Sequence, residues 1–281
     1  VNSPVSAAIV ALAIAVIAWL LLSPLVRARR HRRAAAVPLA ASRVGAVERN
    51  VPLRGRLPPA LRQRLDGLVA AFVAEKNFVG CNGLVVTDDM RVTIAAHACM
   101  LVLGRPHDLY PALRSILVYP TPFWVEEEDE DESGLVTRRR RVLAGQAWDA
   151  SRIILSWEDV LAAGTAHAAG YNLVLHEFAH YLEYEGLGLP DPPDGPRRPL
   201  ERWTANLEQE FSRLEAEVDR GAETFLDPYA AEDEAEFFAV ASEEFFERPA
   251  GLEAAHTGLY RLLQEFYGLD PRAWTDGLPP T

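Results

Sequence analysis

Leu173-Val174-Leu175-His176-Glu177-Phe178-Ala179-His180-Tyr181-Leu182 sets two histidines and a glutamate within an apolar run. It sits in a helical segment, Asn172 to Glu185, which Gly186, Gly188 and a Pro-rich loop from Pro190 to Pro199 bring to a stop. Two histidines four apart on a helix lie one above the other on the same face, so both rings reach one cation. His176-Glu177-Phe178-Ala179-His180 is therefore an HExxH motif, and it predicts a zinc (Zn2+) site held by His176 and His180. Zinc lowers the pKa of a bound water toward about 7, and Glu177, beside the first histidine, is placed to take its proton as general base. Leu173, Val174, Leu175, Phe178, Ala179 and Leu182 surround the motif with apolar side chains, as a buried metal-carrying helix needs.

Zinc needs a third protein ligand and one open position. No histidine follows Gly186 closely, so that ligand comes from elsewhere in the chain. A helix from about Glu232 to Phe246 offers Glu232, Glu234, Glu236, Glu243, Glu244 and Glu247, and Glu236 and Glu243, seven apart, share a face. Tyr229 stands seven residues before Glu236. His97, His107, His167 and His256 are isolated and read as ordinary core or surface histidines.

Working outward, Pro58-Pro59 opens a helical pattern through Leu61, Leu65, Leu68, Val69, Phe72 and Val73. Ser115 to Tyr119 and Arg152 to Trp157 read as strands, and Val92 to Cys99 fits strand or helix. Between the two strands lies a polar excursion, seven acidic residues from Glu126 to Glu132 and then Arg138 to Arg141, expected as a loop or hairpin. Further helices are expected at about Leu200 to Arg220 and Leu259 to Tyr267. Strands early and helices late predict an α+β fold.

From Val5 to Val26 run 22 uncharged residues, long enough to cross a hydrocarbon core, followed by Arg27, Arg29, Arg30, Arg32 and Arg33. The expectation is one N-terminal transmembrane helix at 5–26, a basic juxtamembrane segment and linker at 27–56, and a metallopeptidase domain at 57–275. The positive-inside rule then predicts a single-pass cell-membrane protein with its catalytic domain in the cytoplasm. The formal net charge of -12 argues against nucleic acid as a partner. Two cysteines, Cys81 and Cys99, are too few for a disulfide framework.

Several separated motifs occur together: His176-Glu177-Phe178-Ala179-His180-Tyr181-Leu182-Glu183, Asp227-Pro228-Tyr229-Ala230-Ala231, and Ala235-Glu236-Phe237-Phe238-Ala239-Val240-Ala241-Ser242-Glu243-Glu244-Phe245-Phe246. With Val92-Thr93-Ile94-Ala95-Ala96, Ile116-Leu117-Val118-Tyr119-Pro120 and Gly145-Gln146-Ala147-Trp148, they resemble the MtfA family of bacterial zinc peptidases, roughly over Leu57 to Trp274. The centre is also similar to that of the anthrax lethal-factor peptidase. The resemblance implies a zincin-like domain that hydrolyses a peptide or protein substrate by metal-activated water. It implies His176, His180 and Glu236 as metal ligands, Glu177 as base and Tyr229 as donor to the oxyanion. Because the family is named for a protein that binds the repressor Mlc, it also implies a transcription-factor partner as the alternative, a membrane-tethered binding protein with weak or no peptidase activity. Glu183 and Glu234 depart from the family's usual Asp and Pro at those positions.

Overall fold

The computed structural model describes residues 37–105, 109–130, 136–143, 145–149, 151–165, 170–184 and 200–275, with scattered helical residues between 8 and 34. Helices α1 (Ala41–Asn50), α2 (Leu53–Arg56) and α3 (Pro59–Glu75) lead into strand β1 (Asn77–Gly80) and helix α4 (Asp88–Met100). Strands β2 (Ser115–Tyr119), β3 (Phe123–Glu130), β4 (Val136–Leu143), β5 (Gly145–Asp149) and β6 (Arg152–Ser156) follow, then α5 (Trp157–Thr165). The rest of the described chain is helical: α6 (Leu173–Tyr184), α7 (Leu200–Asp219), a 3₁₀ turn (Pro228–Ala231), α8 (Glu234–Glu247), α9 (Pro249–Ala255), α10 (Thr257–Tyr267) and α11 (Arg272–Thr275).

The main sheet has four strands in the order β1-β2-β6-β5. β1, β2 and β6 run parallel, and β5 returns antiparallel along the edge of β6. Helix and strand are mixed as expected, but the first half holds a β1–α4–β2 crossover, which the strands-then-helices pattern did not contain. Ile116, Val118, Ile153 and Leu155 bury from the central strands, and Ala95, Ala96, Ala98 and Cys99 of α4 join the same core. Val92 to Cys99 is thus helix, started by Thr87, whose hydroxyl accepts from the Met90 N–H at 3.3 Å. The acidic and basic runs pair as the antiparallel ribbon β3–β4, with Glu126, Glu127 and Glu128 registered against Arg140, Arg139 and Arg138. Cys81 and Cys99 are both free thiols, and Cys99 is fully buried.

Two expectations about the N-terminal region change. Residues 41–56 fall within the expected linker, yet they form α1 and α2, with Ala46, Val47, Val51 and Leu53 in the core. The single-pass membrane location with a cytoplasmic domain is corrected: no helix among the described residues is long and apolar enough to cross a membrane. A span needs about 20 consecutive apolar helical residues. The one described helix of that length, α7, carries Glu201, Arg202, Glu208, Glu210, Arg213, Glu215, Glu217 and Asp219. Half of 5–26 and most of the arginine cluster lie outside the described residues, as does the Pro-rich loop 190–199.

Candidate metal centre

Helix α6 is built with two unlike faces. One of its free N–H groups is met by Asn172, whose side-chain oxygen accepts from the Leu175 N–H at 3.2 Å. Val174, Leu175, Phe178, Ala179, Tyr181 and Leu182 are buried. Phe178 meets Tyr110 with ring centroids 4.8 Å apart and Phe72 at 5.9 Å, while Tyr181 meets Tyr110 at 5.5 Å. Each such aromatic pair contributes about 0.5–1.5 kcal/mol beyond its burial, so the helix is held firmly on this side. The other face carries His176, Glu177 and His180 toward α8.

Helix α8 is started by Asp233, whose carboxylate accepts from the Glu236 N–H at 2.8 Å, fixing Glu236 in the first turn. Phe237, Phe238, Ala241, Phe245 and Phe246 anchor it from behind, Phe238 stacking edge-on against Phe266 at 5.2 Å. The turn just before repeats the device: Asp227 accepts from the Tyr229 N–H at 2.9 Å. Tyr229 itself stays half exposed.

Between the helices three donor atoms converge. His176 Nε2 lies 3.1 Å from Glu236 Oε2 and 3.1 Å from His180 Nε2, and His180 Nε2 lies 3.5 Å from the same Glu236 oxygen. Among the described residues this is the one group of three or more His, Cys, Asp or Glu side chains gathered closely enough to hold a metal. Ligands about 2.0–2.1 Å from a tetrahedral zinc stand about 3.3–3.4 Å from one another, which is the scale of this triangle. The donor set fits as well. His176 Nδ1 donates to Glu243 Oε1 at 2.8 Å, so a neutral ring turns its Nε2 lone pair toward His180 and Glu236. Two imidazole nitrogens and a carboxylate facing one point attract a cation.

The electrostatics follow from burial and these pairings. Burial opposes charge on His176, but its hydrogen bonds to Glu236 and Glu243 outweigh that and raise it to about 10. Burial likewise works against an ionised Glu236, and His176 and His180 overcome it, holding the carboxyl below the usual range. Glu177 is buried and pushed up to about 7, chiefly by desolvation, with His176 and His180 pulling the other way. Burial raises Glu243 too, against the bonds from His176 and the Asn172 N–H. Tyr171 is half exposed, and its phenol is raised by burial and by the nearby carboxylates Asp159, Glu243 and Glu177 and by Tyr229.

Of the residues singled out in the sequence, His176, His180 and Glu236 come together and Glu177 sits among their charges. Glu232 and Glu234 are exposed and take no part, and Glu244 pairs instead with Arg248. His256 is buried against Arg213, away from the cluster, and His107 and His167 lie outside the described residues. His97 is not isolated: its Nδ1 lies 3.1 Å from Asn172 Nδ2. Sequence reading passed over Tyr171 and Asn172. For Asn172 a signal existed, a helix-capping residue type directly before the apolar run of α6.

Residues 25–268 match the family described as glucose-regulated metallo-peptidase M90. A protein of Pectobacterium atrosepticum named Mlc titration factor A is 37% identical over 227 residues, covering 80% of this chain and 85% of the relative. Mlc titration factor A of Klebsiella pneumoniae is 34% identical, covering 79% of this chain and 84% of its own length. An uncharacterized protein of Synechocystis sp. is 36% identical, covering 79% of this chain and 81% of its own. With the match spanning most of the sequence, the chain belongs to the M90 family of metallo-peptidases.

Proposed function

We propose that this chain is a zinc-dependent peptidase of zincin-like fold, with His176, His180 and Glu236 as the metal ligands and Glu177 as general base. The observation that carries the reading is the convergence of His176 Nε2, His180 Nε2 and Glu236 Oε2 beside a buried Glu177. When bound, the metal supplies Lewis acidity, polarising a substrate carbonyl and making water a stronger acid at neutral pH. Glu177 accepts the proton of the attacking water and returns it to the leaving amine, for which a carboxylate raised to about 7 is well matched. Tyr229 donates its phenolic hydrogen to the oxyanion that develops on the carbonyl. The catalytic unit is taken to span 57–275 together with α1 and α2, whose buried residues belong to its core.

Incubating the purified chain with a mixed peptide library, before and after chelation and again after zinc is restored, tests this. Cleavage that is lost and regained supports it. No cleavage by the zinc-loaded chain, or cleavage untouched by the chelator, overturns it. A second reading is favoured by the name Mlc titration factor A that two of the relatives carry: sequestration of a transcriptional repressor. A zinc-loaded chain that binds such a repressor tightly yet cuts no peptide would decide for it.

A further inference from the structure

Asn172 is fully buried four residues before His176, and every polar group it owns is engaged. Its carbonyl accepts from the His176 N–H at 3.0 Å, and its side-chain oxygen caps α6 at Leu175. Its side-chain nitrogen donates to Glu247 Oε1 at 2.8 Å and to His97 Nδ1 at 3.1 Å. Its backbone N–H donates to Glu243 Oε2, while the other oxygen of that carboxylate, Oε1, takes the proton of His176 Nδ1 at 2.8 Å. One residue thus joins α4, through His97, to two successive turns of α8, through Glu243 and Glu247, and to the head of α6. Gly170, at φ 75°, lets the chain enter this position, where a Cβ would strike the Glu244 and Arg248 side chains.

We infer that Asn172 is a positioning residue for the metal centre. Its side chain, tethered by Glu247 and His97, fixes the place of its backbone N–H on Glu243, so that Glu243 holds the His176 ring with Nε2 toward His180 and Glu236. Helix capping alone needs only the side-chain oxygen, which asparagine and aspartate supply equally. The tether to Glu247 needs the nitrogen, because that carboxylate only accepts, whereas His97 can change tautomer to suit either side chain. A carboxylate at this position keeps the cap and loses the tether.

The inference rests on the proposed metal reading, and its test separates the two. Zinc affinity is measured by competition with a chromophoric chelator, alongside thermal unfolding of the metal-free protein, for wild type, Asn172→Asp and the swap Asn172→Asp/Glu247→Gln. Partners that orient a ligating histidine change affinity by about 10–100-fold, so Asn172→Asp is expected to weaken zinc binding at least tenfold. The swap restores a donor opposite an acceptor and is expected to recover most of that loss. Equal affinity in wild type and Asn172→Asp, or no recovery in the swap, overturns the inference while leaving the metal site standing. Where Asn172→Asp fails to fold, Glu247→Leu cuts the same tether from α8, and unchanged zinc affinity there overturns the inference. A wild-type chain without affinity for zinc overturns the proposed function and this inference together.

Discussion

At the scale of single residues, groups that would bind the metal are distinct from groups that would act beside it. Glu177 is buried beside the proposed ligands but is not among the three residues whose donor atoms converge. Glu177→Gln is therefore expected to keep near-stoichiometric zinc while turnover falls by roughly 10²–10⁴-fold, the usual worth of a general base. His176→Ala and His180→Ala should lose metal and activity together, which elemental analysis and a peptide assay read side by side. Acidity should matter as well. His176 holds its proton up to about 10 in the metal-free protein, because Glu236 and Glu243 bond to its charged form against the cost of burial. A cation has to displace that proton from Nε2, so protonation competes with metal. Apparent zinc affinity is expected to climb by about tenfold per pH unit between pH 6 and 8. A flat profile in a chelator titration would show that the ring is already neutral there.

At the scale of elements, what could be read in advance was what a local pattern encodes. The HExxH helix, the helix that carries Glu236 and the strand at Ser115–Tyr119 each carry their own periodicity and punctuation, and each stands where it is expected. β1 and β5 did not announce themselves. Asn77-Phe78-Val79-Gly80 and Gly145-Gln146-Ala147-Trp148-Asp149 are short, and each contains glycine, so only pairing with a neighbouring strand makes them strands. Close approaches between helix ends are equally invisible in sequence. Just after α4, a Cβ on Gly104 would meet the carbonyl oxygens of Tyr267 and Gly268 at the end of α10. Backbone cannot swing aside as a flexible side chain does. Gly104→Ala is therefore expected to destabilise by about 1–3 kcal/mol, through overpacking rather than any loss of contact. Gly55→Ala, with nothing near its added Cβ, should not destabilise comparably. Equal melting temperatures for the two variants would mean that α4 and α10 can move apart freely.

At the scale of the whole molecule, the folded unit includes a segment whose composition does not show it. Ala34 to Arg56 looked like linker because Ala, Val, Pro and Arg alternate without clear period, yet the tertiary contacts are extensive. Val47, Val51 and Leu53 are almost wholly buried, and Arg54 is held by Asp66 through bonds of 2.9 and 2.8 Å, with Glu48 at 2.9 Å. Arg43 grips Asp88 at 2.8 and 3.0 Å, and Asn50 donates to Thr93 at 3.0 Å, so α1 is fastened along α4. The exposed ion pair adds little in water. The apolar burial is the larger effect: three aliphatic side chains at about 1.5–3 kcal/mol each amount to roughly 5–9 kcal/mol. That is comparable with the entire stability of an ordinary domain, about 5–15 kcal/mol. Removing the segment would also take Asn50 away from Thr93, a fully buried residue of α4. A chain that starts at Ala34 is therefore expected to melt cooperatively and bind zinc as the full chain does. One that starts at Leu57, the boundary suggested by sequence, should show no cooperative transition by calorimetry. If the shorter chain melts within a few degrees of the longer one, α1 and α2 are dispensable and the core does begin at Leu57.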